Sequence, residues 1–198
     1  MQHNKLFISL LFCLAVSLLS GCAEKPPQTY TDTEYGFSFV HPGNWWKKSD
    51  AASHLMLLGY SESGYHPNIN ISLLDPIPEI FLFAMQKEQF KESFEEGGFK
   101  NMKIIDYDIK QIGGKNALFS HFQATVDEGA AKGMALEVLL YLFQHEEKTF
   151  RIMLCCRQDK IEKNRPIFDS IISSFKFEGM QDEPPQEPEE EPEENAEQ

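Results

Sequence analysis

The side chains of this chain that could do chemistry are its cysteines, its histidines and a pair of adjacent tryptophans. Cys22 follows the small pair Ser20-Gly21, which lets an enzyme approach the backbone, at the end of an apolar run from Leu6 to Leu19. A thiol in that setting is placed for processing and modification. Cys155 and Cys156 are neighbours in an apolar run. Strand neighbours point to opposite faces, so the two cannot grip one ion as a C-x-x-C pair does. A disulfide between them would distort the peptide and break the strand, so they read as buried thiols packing as small hydrophobes. His41, His54, His66, His121 and His145 follow Cys22 without H-x-x-x-H or H-E-x-x-H spacing. His54 and His66 flank one loop and could meet there as a metal site; the alternative is solvated or hydrogen-bonded imidazoles. No G-x-S-x-G elbow supports nucleophilic hydrolysis. Gly97-Gly98 and Gly113-Gly114 lack the G-x-G-x-x-G context of a phosphate loop and read as turns. No motif calls for a cofactor. Trp45-Trp46 follows a strand end, a geometry that would bury one indole and leave its neighbour near the surface as a possible partner contact. The alternative packs both rings under the first helix.

The elements that must position these residues begin with the N-terminus. His3 and Lys5 precede the apolar run from Leu6 to Leu19, which is shorter than the roughly 20 apolar residues a spanning helix needs. It reads as the h-region of an export signal over residues 1–21. Leu19-Ser20-Gly21-Cys22 resembles the lipobox of bacterial lipoproteins. That resemblance implies cleavage before Cys22 and a diacylglycerol on its thiol, with Leu19, Ser20 and Gly21 as the peptidase recognition residues. Ala23 is not the aspartate associated with inner-membrane retention, so in a Gram-negative cell the resemblance implies the periplasmic face of the outer membrane. Otherwise it implies the outer face of the cell membrane. Residues 22–29 form a tether in which Pro26-Pro27 favours an extended path of about 20 Å at roughly 3.1 Å per residue.

The formal charge of −13 is concentrated at the far end, where residues 181–198 carry nine acidic groups and no basic one. The rest of the chain is mildly acidic and has no basic stripe for a phosphate backbone, so nucleic acid is not an expected partner. The Pro/Glu-rich segment 180–198 cannot bury enough apolar surface to order itself and is expected to be disordered, solubilising the protein or meeting a basic partner. Residues 30–179 have the size and pattern of one globular domain with a self-sufficient core.

Within that domain, Phe37 and Phe39 alternate around Ser38 as in a strand, and Ile69, Ile71 and Leu73 do the same further on. One helix is expected from Asp75 to Gly97-Gly98, with Ile80, Phe83, Ala84, Phe90 and Phe94 facing inward. Long strands follow on either side of Gly113-Gly114, with Ile105, Tyr107 and Ile109 in phase on the first. Leu139 to Phe143 is apolar on both parities, so that strand is covered on both faces. A last helix is expected to begin near Asn164 with Pro166 in its first turn, before a closing strand at Phe175-Lys176-Phe177. The fold class is α+β: an antiparallel sheet with helices on both faces.

Tyr35-Gly36-Phe37-Ser38-Phe39, His41-Pro42 and Trp45, with Phe168, Ile171, Ile172, Ser174 and Phe175 near the end, make this chain resemble the PsbP-like fold family. That family includes the photosystem extrinsic protein, a Ran-binding nuclear import factor and many bacterial lipoproteins. The resemblance implies a helix-sheet-helix sandwich and a binding or assembly role without catalysis. It brings no catalytic residue with it. The resulting expectation is a lipid-anchored envelope protein that binds an unknown envelope protein or component. The competing expectations are an envelope enzyme or metal-binding protein built from scattered histidines and acids, and a carrier of a small apolar ligand beneath the helix Ile80–Phe94.

Overall fold

The computed structural model describes residues 25–178. The expected signal peptide, Leu19, Ser20, Gly21, Cys22 and the acidic tail lie outside the described residues. A hairpin of β1 (Gln28–Asp32) and β2 (Phe37–His41) opens the domain, so β1 takes in Gln28 and Thr29 at the end of the expected tether. There follow β3 (Trp46–Lys47), β4 (Leu55–Leu58), β5 (Asn68–Leu74), α1 (Glu79–Ala84) and α2 (Lys87–Glu96). Then come β6 (Phe99–Ile112), β7 (Lys115–Val126), β8 (Ala135–His145), β9 (Lys148–Arg157), α3 (Ile161–Ser173) and β10 (Lys176–Phe177).

The strands form two antiparallel sheets, a large one in the order β3-β4-β5-β9-β8-β7-β6 and a small one in the order β1-β2-β10. The large sheet is buried on both faces. On one face, Leu82 of α1 and Phe90 of α2 pack with Phe122, Val138 and Leu140. On the other, Phe168 and Ile171 of α3 join Phe37 and Phe39 of the small sheet over Ile69, Leu139, Phe150 and Ile152. Helices therefore cover both faces, as the two-sided apolarity of Leu139–Phe143 requires. The small sheet, built from the first hairpin and the closing strand, shares the α3 side. Cys155 lies in one core and Cys156 in the other, as alternation along β9 demands.

Three local expectations are corrected. The single helix from Asp75 is two helices. Met85 is extended, and Gln86 opens α2 with its own capping box to Gln89, whose side chain accepts from the Gln86 backbone N–H at 3.2 Å. The break rotates the apolar register, so Leu82 is buried while Ile80 and Phe81 are 73% and 66% exposed. The last helix begins at Ile161 and carries Pro166 inside it. The preceding 3₁₀ turn Gln158–Lys160 feeds directly into α3, so the helix starts before the proline can define its first turn. On β6, register shifts at 100–103 and 104–106 interrupt the alternation. Ile104 and Tyr107 pack inward while Ile105 and Ile109 are exposed.

Candidate binding groove

The end of β2 positions one wall of a surface groove. After His41 the chain turns at Pro42-Gly43-Asn44, closed by Trp45 N–H donating to the Pro42 carbonyl at 3.0 Å. Gly43 lies under the incoming N-terminal segment, where a Cβ would come within 2.0 Å of the Pro26 carbonyl oxygen. Trp45 is buried and meets Phe168 of α3 edge-on at 6.5 Å. Gly59 makes room for that indole, since a Cβ there would lie 2.9 Å from Trp45 Nε1.

The loop from Gly59 to Pro67 is held as a unit by Gly59 N–H donating to the Pro67 carbonyl at 2.7 Å and by paired backbone bonds between Glu62 and Tyr65. Glu62 joins this loop to α3: its carboxylate accepts from Lys163 Nζ at 2.5 Å and Asn164 Nδ2 at 2.9 Å. Burial pushes the Glu62 carboxyl up, but these hydrogen bonds and the lysine charges outweigh it and hold the group below the usual glutamate range. The result is a groove of about 520 Å³ between the β2 end, the loop and α3. Trp45, Tyr60, Pro67 and Ile167 supply apolar walls, and Lys25 stands at its N-terminal rim. Asn44 also lines it, and the buried Asn44 Oδ1 has no hydrogen-bond donor among the described residues. Apolar walls with a few convergent polar groups are the usual make-up of a ligand site.

Beside the groove, the second tryptophan turns outward. Trp46 is 41% exposed and Tyr60 66%. Their rings lie 6.3 Å apart, and His66 meets Trp46 edge-on at 5.2 Å. His66 donates its Nδ1–H to the Gly59 carbonyl at 2.8 Å, which fixes the ring. One indole is thus buried and its neighbour exposed. Trp45 packs on the last helix, so the alternative with both rings under the first helix is not what the fold does.

The histidines do not converge. His54 Nε2 bonds Asp32 Oδ2 at 2.6 Å, while His66 serves its own loop. Asp32 also accepts from Tyr30 Oη and the backbone N–H groups of Glu34 and Tyr35, closing the first hairpin. His121 Nε2 bonds Glu137 Oε1 at 2.6 Å, and Gln123 donates to the other oxygen at 3.0 Å. Among the described residues no group of three or more His, Cys, Asp or Glu side chains could hold a metal ion. Burial raises the Cys155 and Cys156 thiols to about 12, which keeps both protonated and poor nucleophiles. Where a ligand beneath one helix Ile80–Phe94 was expected, there are two helices, and Phe90 and Phe94 of α2 pack on Phe122 with centroids 6.1 and 5.7 Å away. Sequence reasoning missed Tyr60, Glu62, Lys163 and Asn164. Tyr60 ends an apolar run, His54 to Tyr60, that reads as a strand, while Glu62 sits in a segment legible only as a loop and its partners Lys163 and Asn164 lie about a hundred residues away.

No family model and no curated protein matches the chain. Solved structures do. The cyanobacterial PsbP protein of Synechocystis sp. PCC 6803 is similar at 15% identity and a TM-score of 0.57, over 80% of this chain and 95% of that one. The Ran-binding protein Mog1p of Saccharomyces cerevisiae matches at 9% identity and a TM-score of 0.53, over 77% of this chain and 95% of that one. LpqN of Mycobacterium tuberculosis, described as involved in cell envelope biogenesis, matches at 15% identity and a TM-score of 0.50, over 76% of this chain and 90% of that one. At such identities the likeness speaks for architecture alone, and the architecture is the α+β fold of PsbP and Mog1.

Proposed function

We propose that this protein is a lipid-anchored, non-enzymatic binding module of the bacterial cell envelope that recognises its partner with the groove between β2, the 59–67 loop and α3. The lipid anchor rests on the lipobox resemblance at Leu19–Cys22. The envelope setting draws on that resemblance and on a fold neighbour described as involved in cell envelope biogenesis. A binding role draws on a fold neighbour described as Ran-binding. The observation that carries the reading is the groove itself: about 520 Å³, walled by Trp45, Tyr60, Pro67 and Ile167, with an unmatched Asn44 acceptor. A ligand group that donates to Asn44 Oδ1 would remove the cost of leaving that acceptor unpaired.

The test is site-directed photocrosslinking in the source cell. A photoreactive residue at Tyr60, which lines the groove, is compared with one at Glu147, in the turn between β8 and β9 and at the far end of β9 from the loop. The expected result is one discrete crosslinked species from Tyr60 that is lost when Ile167→Glu places a charge on the groove wall. Equal capture from Tyr60 and Glu147, or capture indifferent to Ile167→Glu, removes the groove from the function.

A further inference from the structure

We infer that Trp46 and Tyr60 seat this end of the domain in the headgroup zone of a phospholipid bilayer, so that the groove opens at the membrane surface. The inference rests on the lipid-anchored reading, because it takes Cys22 as the point where the chain meets the bilayer.

Three observations converge on this end. The first is chain length. Lys25 lines the groove and is three peptide steps from Cys22, a span of at most about 11 Å. Pro26 is packed over Gly43, so the direction of approach is set by the fold. A lipid on Cys22 therefore brings a bilayer within reach of the groove rim. The second is side-chain chemistry. Trp46 and Tyr60 are exposed and adjacent, and rings with an apolar body and a polar edge are the ones that collect at membrane interfaces. Lys48, two residues beyond Trp46 and exposed, can reach lipid phosphates from the same side, whereas Lys47 turns to the Tyr30 ring. The third is the position of Glu178, after which the acidic sequence follows. Glu178 donates its N–H to the Gly36 carbonyl, at the end of β2 opposite His41 and Gly43. Gly36, just before β2, and His41 at its end are five peptide steps apart, about 17 Å of extended chain, so Glu178, which precedes the acidic sequence, lies on the side away from Lys25. Anionic headgroups would repel the tail end and accept the lysine end. A lipid anchor attaches without help from aromatics, so the work left for Trp46 and Tyr60 is to orient the domain.

The test supplies the anchor chemically. The chain from Cys22 onward, which keeps every described residue, is coupled through Cys22 to phosphatidylcholine vesicles carrying a maleimide lipid. Cys155 and Cys156 are buried and protonated, so coupling goes to Cys22. Part of the lipid is then exchanged for a dibrominated form, which quenches indoles in the bilayer. Seating predicts an emission loss of about twofold that is abolished in Trp46→Phe, because Trp45 is shielded against Phe168. It also predicts a smaller loss in Tyr60→Ser. An unquenched coupled chain overturns the seating, as does quenching that survives Trp46→Phe. The anchor is read separately, by incorporation of labelled palmitate in the source cell and its loss in Cys22→Ser. Failure there removes the lipid-anchored reading, whereas failure of the vesicle experiment removes the seating alone.

Discussion

Asp32 shows at single-residue scale how this fold uses ionisable groups. Burial pushes its carboxyl up, but hydrogen bonds from His54, the Tyr35 backbone and Tyr30 outweigh burial and hold it below the ordinary aspartate value of 3.8. Burial first, and then the same carboxylate, raise the Tyr30 hydroxyl to about 12. A carboxyl with a depressed folded value stabilises the protein fully above its unfolded value, and that contribution is lost as pH falls through the folded one. Asp32→Asn is therefore expected to lower stability at neutral pH and to flatten the decline that the wild-type chain shows as pH drops below about 4. Urea titrations at pH 7 and at successive acid values check this, and an unchanged acid slope in the variant would remove Asp32 from the account. At this scale the sequence was partly legible. Alternation alone assigned Cys155 and Cys156 to opposite faces, while for Trp45 and Trp46 it offered the split only beside the alternative with both rings under the first helix, and the fold takes the split. The Asp32–His54 and Glu62–Asn164 bonds were not legible, since each joins residues brought together only by the fold.

Among the elements, the helical segment after β5 departs most from periodicity. Ile80, Phe83, Ala84, Phe90 and Phe94 satisfy one helical stripe, and nothing in that pattern marks a break. The break comes from local capping: Gln86 and Gln89 satisfy each other's backbone groups, which lets α2 start afresh after the extended Met85. The consequence is measurable. Leu82 is fully buried against the sheet while Ile80 faces solvent. Leu82→Ala should cost about 2–5 kcal/mol and Ile80→Ser less than about 0.5 kcal/mol. A single continuous helix predicts a heavy cost at Ile80, so chemical denaturation of the two variants decides between them. The strands fared better, because a side chain every second residue leaves little freedom. Only β6 misled, where register shifts moved Ile105 and Ile109 into solvent.

For the molecule as a whole, the question is how firmly the N-terminal segment is joined to the fold, since under the proposed lipid anchoring that joint would set the angle between domain and membrane. Nothing in the sequence around Gly43 announces the joint, because a glycine after a proline reads simply as a turn. The structure gives it a second duty: Pro26 crosses so closely that a Cβ on residue 43 would meet its carbonyl oxygen at 2.0 Å and Lys25 Cβ at 3.0 Å. The backbone at Gly43 is not in the left-handed region, so alanine there is opposed by this contact and by little else. Gly43→Ala should destabilise the chain from Cys22 onward by roughly 1–3 kcal/mol, the range for an overpacked contact. In a chain beginning at Gln28 the opposing atoms are gone, and the same substitution should cost close to nothing. The difference between the two backgrounds is the coupling energy of the segment to the domain. Equal costs in both would mean that Lys25–Pro27 is not seated on Gly43, and the orientation argued from it would lose its pivot.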